Sequence, residues 1–277
     1  MKTIQQRNNV KVIGKGEQTI LLAHGFGCDQ SMWQYIAPAL AENYRVILFD
    51  YVGAGDSDIT AYQSEKYSSA HGYKKDILDI IDELELKDIH FVGHSVSSMI
   101  GMLAAIERPE CFKKFVMIGP SPCYINEPGY TGGFEASDIA ELLTMMEMNF
   151  TGWANYLAPV VTDPAKDPQL TKNMEQSFVS VDPQIAREFA EMTFMSDHRK
   201  GLASMTVPTL IIQCSDDSIV PIEVGDYLHA HLPASTLHVM QVKGHYPHMS
   251  KPTETRQLIE EFFLINTEED EWQWKNG

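Results

Sequence analysis

Basic residues are scarce in this chain: 21 lysines and arginines stand against 38 aspartates and glutamates, a formal charge of −17 over 277 residues. So acidic a surface repels phosphate backbones and anionic headgroups, which argues against nucleic-acid and membrane partners. Cysteine is scarce too. Cys28, Cys111, Cys123 and Cys214 are widely scattered and form no C-x-x-C pair, a usage expected of reduced cytosolic thiols rather than a disulfide framework. No apolar run reaches the roughly 18 residues that a membrane span requires. The opening MKTIQQRNNV also lacks the apolar centre of a secretory signal. A cytoplasmic location is the expectation. Internal repeats and low-complexity tracts are absent as well, so the length suits one large domain, or a core with an insertion.

What the chain does have is alternation. The clearest β-rich runs are TILLAH (19–24), RVILFD (45–50), IHFVG (89–93), KFVMIG (114–119), TLIIQC (209–214) and TLHVMQ (236–241). Most are apolar along nearly their whole length, as strands covered on both faces are. Helical patterns fall between them near 70–86, 96–107, 222–231 and 253–265. This is the signature of α/β architecture with a largely parallel sheet. One interval breaks it. Between KFVMIG and TLIIQC lie four helical stretches, near 135–148, 151–161, 168–180 and 183–195, punctuated by Pro and Gly. A helical insertion there reads as a cap above the strand ends, where ligands of open α/β sheets bind. The acidic tail NTEEDEWQWKNG carries Trp272 and Trp274, candidates to dock on the core.

The strongest chemical signal is FVGHSVSSMIG, in which an apolar strand ends, Ser95 follows, and a helical pattern begins at once. A sharp strand-to-helix turn of this kind lifts a serine hydroxyl above the sheet. It demands small residues two before and two after the serine. Gly93 meets that need; Ser97 stands where a second glycine is usual, and serine is still small. The amides opening the following helix point toward developing negative charge.

A serine needs a base, and the chain order for such a site is Ser, then Asp or Glu, then His. VKGHYPHMSKP, just after the last strand run, supplies His245, preceded by the flexible Gly244, and His248. His245 is the candidate base; His248 reads as a loop histidine that packs. His229 and His231 read as exposed positions on a helix. QCSDDSIVP supplies two adjacent acids, Asp216 and Asp217, either of which suits the role of orienting the imidazole. LLAHGFGCD places the Phe26 amide where an oxyanion donor is needed, with the Val96 amide as its partner. G-x-G in FDYVGAGDSD lacks the third glycine and immediate helix of a dinucleotide site. The pairs HAH and HYPH lack the company of a zinc site. No metal and no cofactor are expected.

FGCDQSMW, RVILFDYVGAGDSD, GHSVSSMIGMLA, GPSPCYIN and GHYPHMSKP together resemble the RsbQ-type α/β-hydrolases of bacteria and the related plant karrikin and strigolactone receptors. The resemblance runs to about residue 265. It implies an α/β-hydrolase fold: a mostly parallel eight-stranded sheet flanked by helices, with residues 1–126 and 200–277 as core and 127–199 as a four-helix cap. It puts the triad on Ser95, Asp217 and His245, choosing Asp217 over its neighbour, and the oxyanion amides on Phe26 and Val96. It implies a small apolar pocket lined by Phe134, Trp153, Leu157, Phe178, Phe189, Phe194 and Ile219, Leu157 standing where the plant receptors commonly carry an aromatic. The implied activity is serine hydrolysis, or sensing, of a small apolar ester or butenolide-like lactone, with a stress-signalling role. The alternatives are a regulatory receptor with little turnover, working through a PAS-type phosphatase like RsbP, and a cofactor-free perhydrolase.

Overall fold

The computed structural model describes residues 2–265, so Trp272 and Trp274 lie outside the described residues. Seven strands form one sheet: β1 (Lys11–Ile13), β2 (Thr19–Ala23), β3 (Arg45–Leu48), β4 (Ile89–His94), β5 (Phe112–Ile118), β6 (Thr209–Asp216) and β7 (Ser235–Lys243). Their order is β1-β3-β2-β4-β5-β6-β7, with β1 antiparallel to β3 and every other pair parallel. All six apolar runs of the sequence fall on β2–β7. Every residue of β2 and of β4 is buried, which is why neither shows the polar–apolar alternation of a half-exposed strand.

Where the resemblance implies eight strands, the described residues hold seven. The segment before β1 is drawn into a helical turn, Ile4–Arg7, instead of an outer strand. Thr3 and Gln6 close a capping box around it, and Glu83 accepts from the Ile4 and Gln5 amides at 2.6 and 3.2 Å. Those amides are committed and cannot build a ladder.

The longer helices are α1 (Ala70–Glu83), α2 (Val96–Glu107), α3 (Ala136–Met148), α4 (Phe150–Val161), α5 (Pro168–Ser180), α6 (Pro183–Phe194), α7 (Ile222–His231) and α8 (Pro252–Leu264). α1 ends short of the expected residue 86 because Glu85 takes φ 50° and the Leu86 amide turns back to the Ile81 carbonyl at 2.9 Å. α3–α6 all fall between β5 and β6. Their starts are written locally: Asn149, Asp167 and Asp182 each accept a backbone N–H of the first turn, and Pro168 and Pro183 follow the two aspartates. α5 buries Leu170, Met174 and Phe178, one apolar stripe at four-residue spacing.

Hydrogen bonds tie this insertion to loops at the carboxyl ends of strands. Ser177 Oγ donates to the Gly27 carbonyl after β2, and the His245 amide after β7 donates to the Val161 carbonyl, each at 2.8 Å. The four cysteines are buried and unpaired. Among the described residues, no helix is long and apolar enough to cross a membrane.

Candidate active site

β4 ends at His94 and α2 begins at Val96, leaving Ser95 alone in the turn at φ 55°, ψ −123°. For a residue with a side chain this left-handed backbone costs about 1–3 kcal/mol. The Ser95 amide donates to the Ile118 carbonyl of β5 at 2.8 Å, pinning the turn to the neighbouring strand. A Cβ at position 93 would lie 2.8 Å from the Ser97 carbonyl carbon and oxygen, so only glycine fits there. Ser97 has a use of its own. Its hydroxyl donates to the His24 carbonyl and accepts from Tyr51 Oη at 2.9 Å, strapping α2 to the loop after β2.

His245 Nδ1–H donates to Asp217 Oδ2 at 2.7 Å, and Ser95 Oγ–H donates to His245 Nε2 at 2.9 Å. A carboxylate only accepts, so Nδ1 carries the proton and Nε2 is left free to accept from the serine. The second carboxylate oxygen of Asp217 takes the Ile219 and Val220 amides at 2.8 and 3.2 Å, and its side chain is fully buried. Asp216 is exposed at the end of β6, and its part is a backbone one: its carbonyl accepts the Gly244 amide at 2.8 Å. His248 is buried 4.6 Å from the Trp33 ring and 4.8 Å from His94. His229 and His231 are exposed on α7.

Val96 opens α2, so its amide is one that the helix leaves without an internal acceptor. Phe26 is clamped edge-on by Trp153, Phe189 and Phe194, with ring centroids 5.8, 5.8 and 6.1 Å away. Such pairs contribute about 0.5–1.5 kcal/mol each beyond area burial. The clamp fixes the backbone that carries the Phe26 amide.

Between Ser95 and the α4–α6 helices lies a cavity of about 20 Å³, space for roughly one water. Leu157, Phe178, Phe194 and Ile219 line it, with Phe26. Phe134, Trp153 and Phe189 do not line it, a correction to the pocket expected from sequence. Trp153 stacks on Phe150 at 5.2 Å, Phe189 stacks on Tyr73 at 4.5 Å, and Phe134 meets Phe194 at 6.0 Å. Trp153, Leu157 and Val161 share one stripe of α4, and only its C-terminal part reaches the cavity. Sequence reasoning missed Tyr124, whose hydroxyl stands 3.4 Å from Ser95 Oγ, and Thr193 in the cavity wall. The signal for Tyr124 is its place in GPSPCY, directly past the carboxyl end of β5.

Residues 18–252 match the family model of the alpha/beta hydrolase fold. The chain belongs to the α/β-hydrolase family. A karrikin insensitive 2 receptor of Petunia hybrida is 40% identical over 253 residues, 91% of this chain and 94% of that receptor. A strigolactone esterase of Arabidopsis thaliana is 38% identical over 252 residues, again 91% and 94% of the two chains. Among solved structures, a hydrolase from Oleispira antarctica matches with a TM-score of 0.92 at 42% identity, covering 95% of this chain and 97% of that one.

This α/β-hydrolase buries a cluster of histidines beside its site. His94 Nε2–H donates to the His245 carbonyl at 2.9 Å. Burial holds His94 well below the usual imidazole range, with His248 and His245 adding to the effect. Burial likewise lowers His24, and pushes His248 down to about 3. Each is neutral in the fold and protonates in the unfolded chain, so acid favours unfolding. Stability should fall as pH drops below about 6.5, and for His248 the loss continues to about 3, at up to about 1.4 kcal/mol per pH unit for each histidine. Urea unfolding at pH 7.5, 6 and 5 reads this directly. Equal stability at all three would contradict it.

Proposed function

We propose that this α/β-hydrolase is a serine hydrolase of small, mostly apolar esters or lactones. One observation carries the reading: an unbroken hydrogen-bond chain from Ser95 through His245 to Asp217, at 2.9 and 2.7 Å, with the serine alone in a strained turn. Ser95 Oγ attacks the carbonyl carbon while His245 Nε2 takes its proton. The Phe26 and Val96 amides hold the oxyanion that forms. Collapse expels the alcohol, protonated by His245, and leaves an acyl group on Ser95. Water, deprotonated by His245, then releases the acid. Asp217 stabilises the imidazolium at both stages.

Residues 127–199 act in this reading as a cap. The 20 Å³ beneath them supports small ligands; even a five-membered lactone needs cap side chains to shift. The receptor names of the relatives support a second reading, in which a slowly released acyl group makes the protein a ligand sensor. A phosphatase partner and a stress role are finer proposals of that kind.

Intact-protein mass spectrometry tests the primary reading. The protein is exposed to a butenolide and to p-nitrophenyl acetate, butyrate and octanoate. The expected result is an acyl adduct on Ser95 that declines with chain length. An adduct that favours octanoate, or lies on another residue, would overturn it.

A further inference from the structure

Thr193 lies in the last turn of α6 beside Phe194, and both line the cavity that holds Ser95. The residue is 1% exposed, and its Oγ1 has no hydrogen-bond partner among the described residues. That sets it apart from the other buried threonines in and beside the helices. Thr144, Thr162, Thr171 and Thr255 each donate to the carbonyl four residues back, the common way for a helical threonine to satisfy its hydroxyl. Thr193 does not turn back, and a buried hydroxyl left unpaired is unfavourable. The wall around it is apolar: Leu157, Val161, Phe178, Phe194 and Ile219. The other polar side chains, His94, Ser95, Tyr124, His245 and Tyr246, stand on the strand-end side, whereas Thr193 comes from the insertion.

We infer that Thr193 is a specificity determinant whose hydroxyl bonds a second oxygen of the ligand, separate from the carbonyl that Ser95 attacks. The favoured ligands are then small esters or lactones bearing an ether, hydroxyl or further carbonyl oxygen, in preference to all-carbon analogues of the same shape. This deepens the hydrolase reading and rests on it for the position of the reacting carbonyl. A site built to hydrogen-bond one oxygen discriminates against the isostere that lacks it, because the buried group then stays unpaired.

The test uses two esters of matched shape, p-nitrophenyl methoxyacetate and p-nitrophenyl butyrate, which differ by an oxygen in place of one methylene. The ratio of their kcat/KM values is normalised to hydroxide-catalysed hydrolysis. It is measured for the wild type, Thr193→Val and Thr193→Ser. The ratio should fall about tenfold in Thr193→Val and stay near wild type in Thr193→Ser. A purely structural role moves both esters together, so an unchanged ratio in Thr193→Val overturns the inference while leaving the nucleophile assignment intact.

A second measurement needs no turnover. In a Ser95→Ala background, ethyl methoxyacetate should raise the melting temperature more than ethyl butyrate at equal concentration, and Thr193→Val should erase the difference. If the wild type cleaves neither ester but this difference appears and is erased, the role of Thr193 holds and the hydrolytic reading fails. Absence of any oxygen-dependent difference in the Ser95→Ala protein overturns the inference.

Discussion

Replacing Ser95 by alanine is expected to lower hydrolysis of p-nitrophenyl acetate by about 10⁶-fold, the scale seen when a triad nucleophile is removed. The loss should be this large because nothing nearby can substitute. Tyr124 brings a hydroxyl within 3.4 Å of Ser95 Oγ, but burial pushes its phenol up to about 12, far from an anion at neutral pH. The fold should survive. Alanine occupies φ 55° no worse than serine does, the Ser95 amide keeps its bond to Ile118, and only one hydroxyl is lost. The measurement pairs initial rates with melting temperature on one preparation. Turnover near the wild-type rate in Ser95→Ala would end the assignment, whatever its stability.

The adjacent aspartates are expected to separate widely. Asp217→Asn should lower turnover by about 10⁴-fold, the effect of losing a triad carboxylate. An asparagine there can present its NH₂ to His245 Nδ1, which forces the ring into the tautomer whose Nε2 carries the proton. Ser95 would then face a donor in place of a base. The Ile219 and Val220 amides, which now bond Asp217 Oδ1, would still find the amide oxygen, so the loop should keep its shape. Asp216→Asn should change turnover less than about twofold, since its side chain is exposed and a solvated charge contributes little. The backbone bond from Gly244 to residue 216 survives either substitution. The reverse order of effects would move the orienting role to Asp216.

The six long strands, the four helices between β5 and β6, and the turn holding Ser95 were all legible in the order of residues. Each is a local pattern. Continuous apolar runs mark doubly covered strands, Pro and Gly punctuate the helices, and a glycine two residues before Ser95 marks a turn that admits nothing larger. The short β1 was not legible, nor was the capped turn at Ile4–Arg7 that takes the place of an outer strand. That turn depends on Glu83, which is brought to the Ile4 and Gln5 amides by α1 from 78 or more residues away. No local signal announces such a partner.

The residues alone determined which groups could do chemistry: one serine in a strand-to-helix turn, a histidine after the last strand, and two acids that local pattern left equal. Tertiary structure decided how they are placed. It turned Asp217 inward, where two amides and an imidazole take its oxygens, and left Asp216 in water. It gave Ser97, at the second-glycine position, the partners with which it straps α2 to the His24 loop. It also set Phe134, Trp153 and Phe189 one layer behind the cavity, and turned Tyr124 and Thr193 into it. Side-chain identity and spacing prescribe which face of a helix is apolar. Which part of that face meets a cavity depends on how helices from distant segments cross, and that is settled only when they pack.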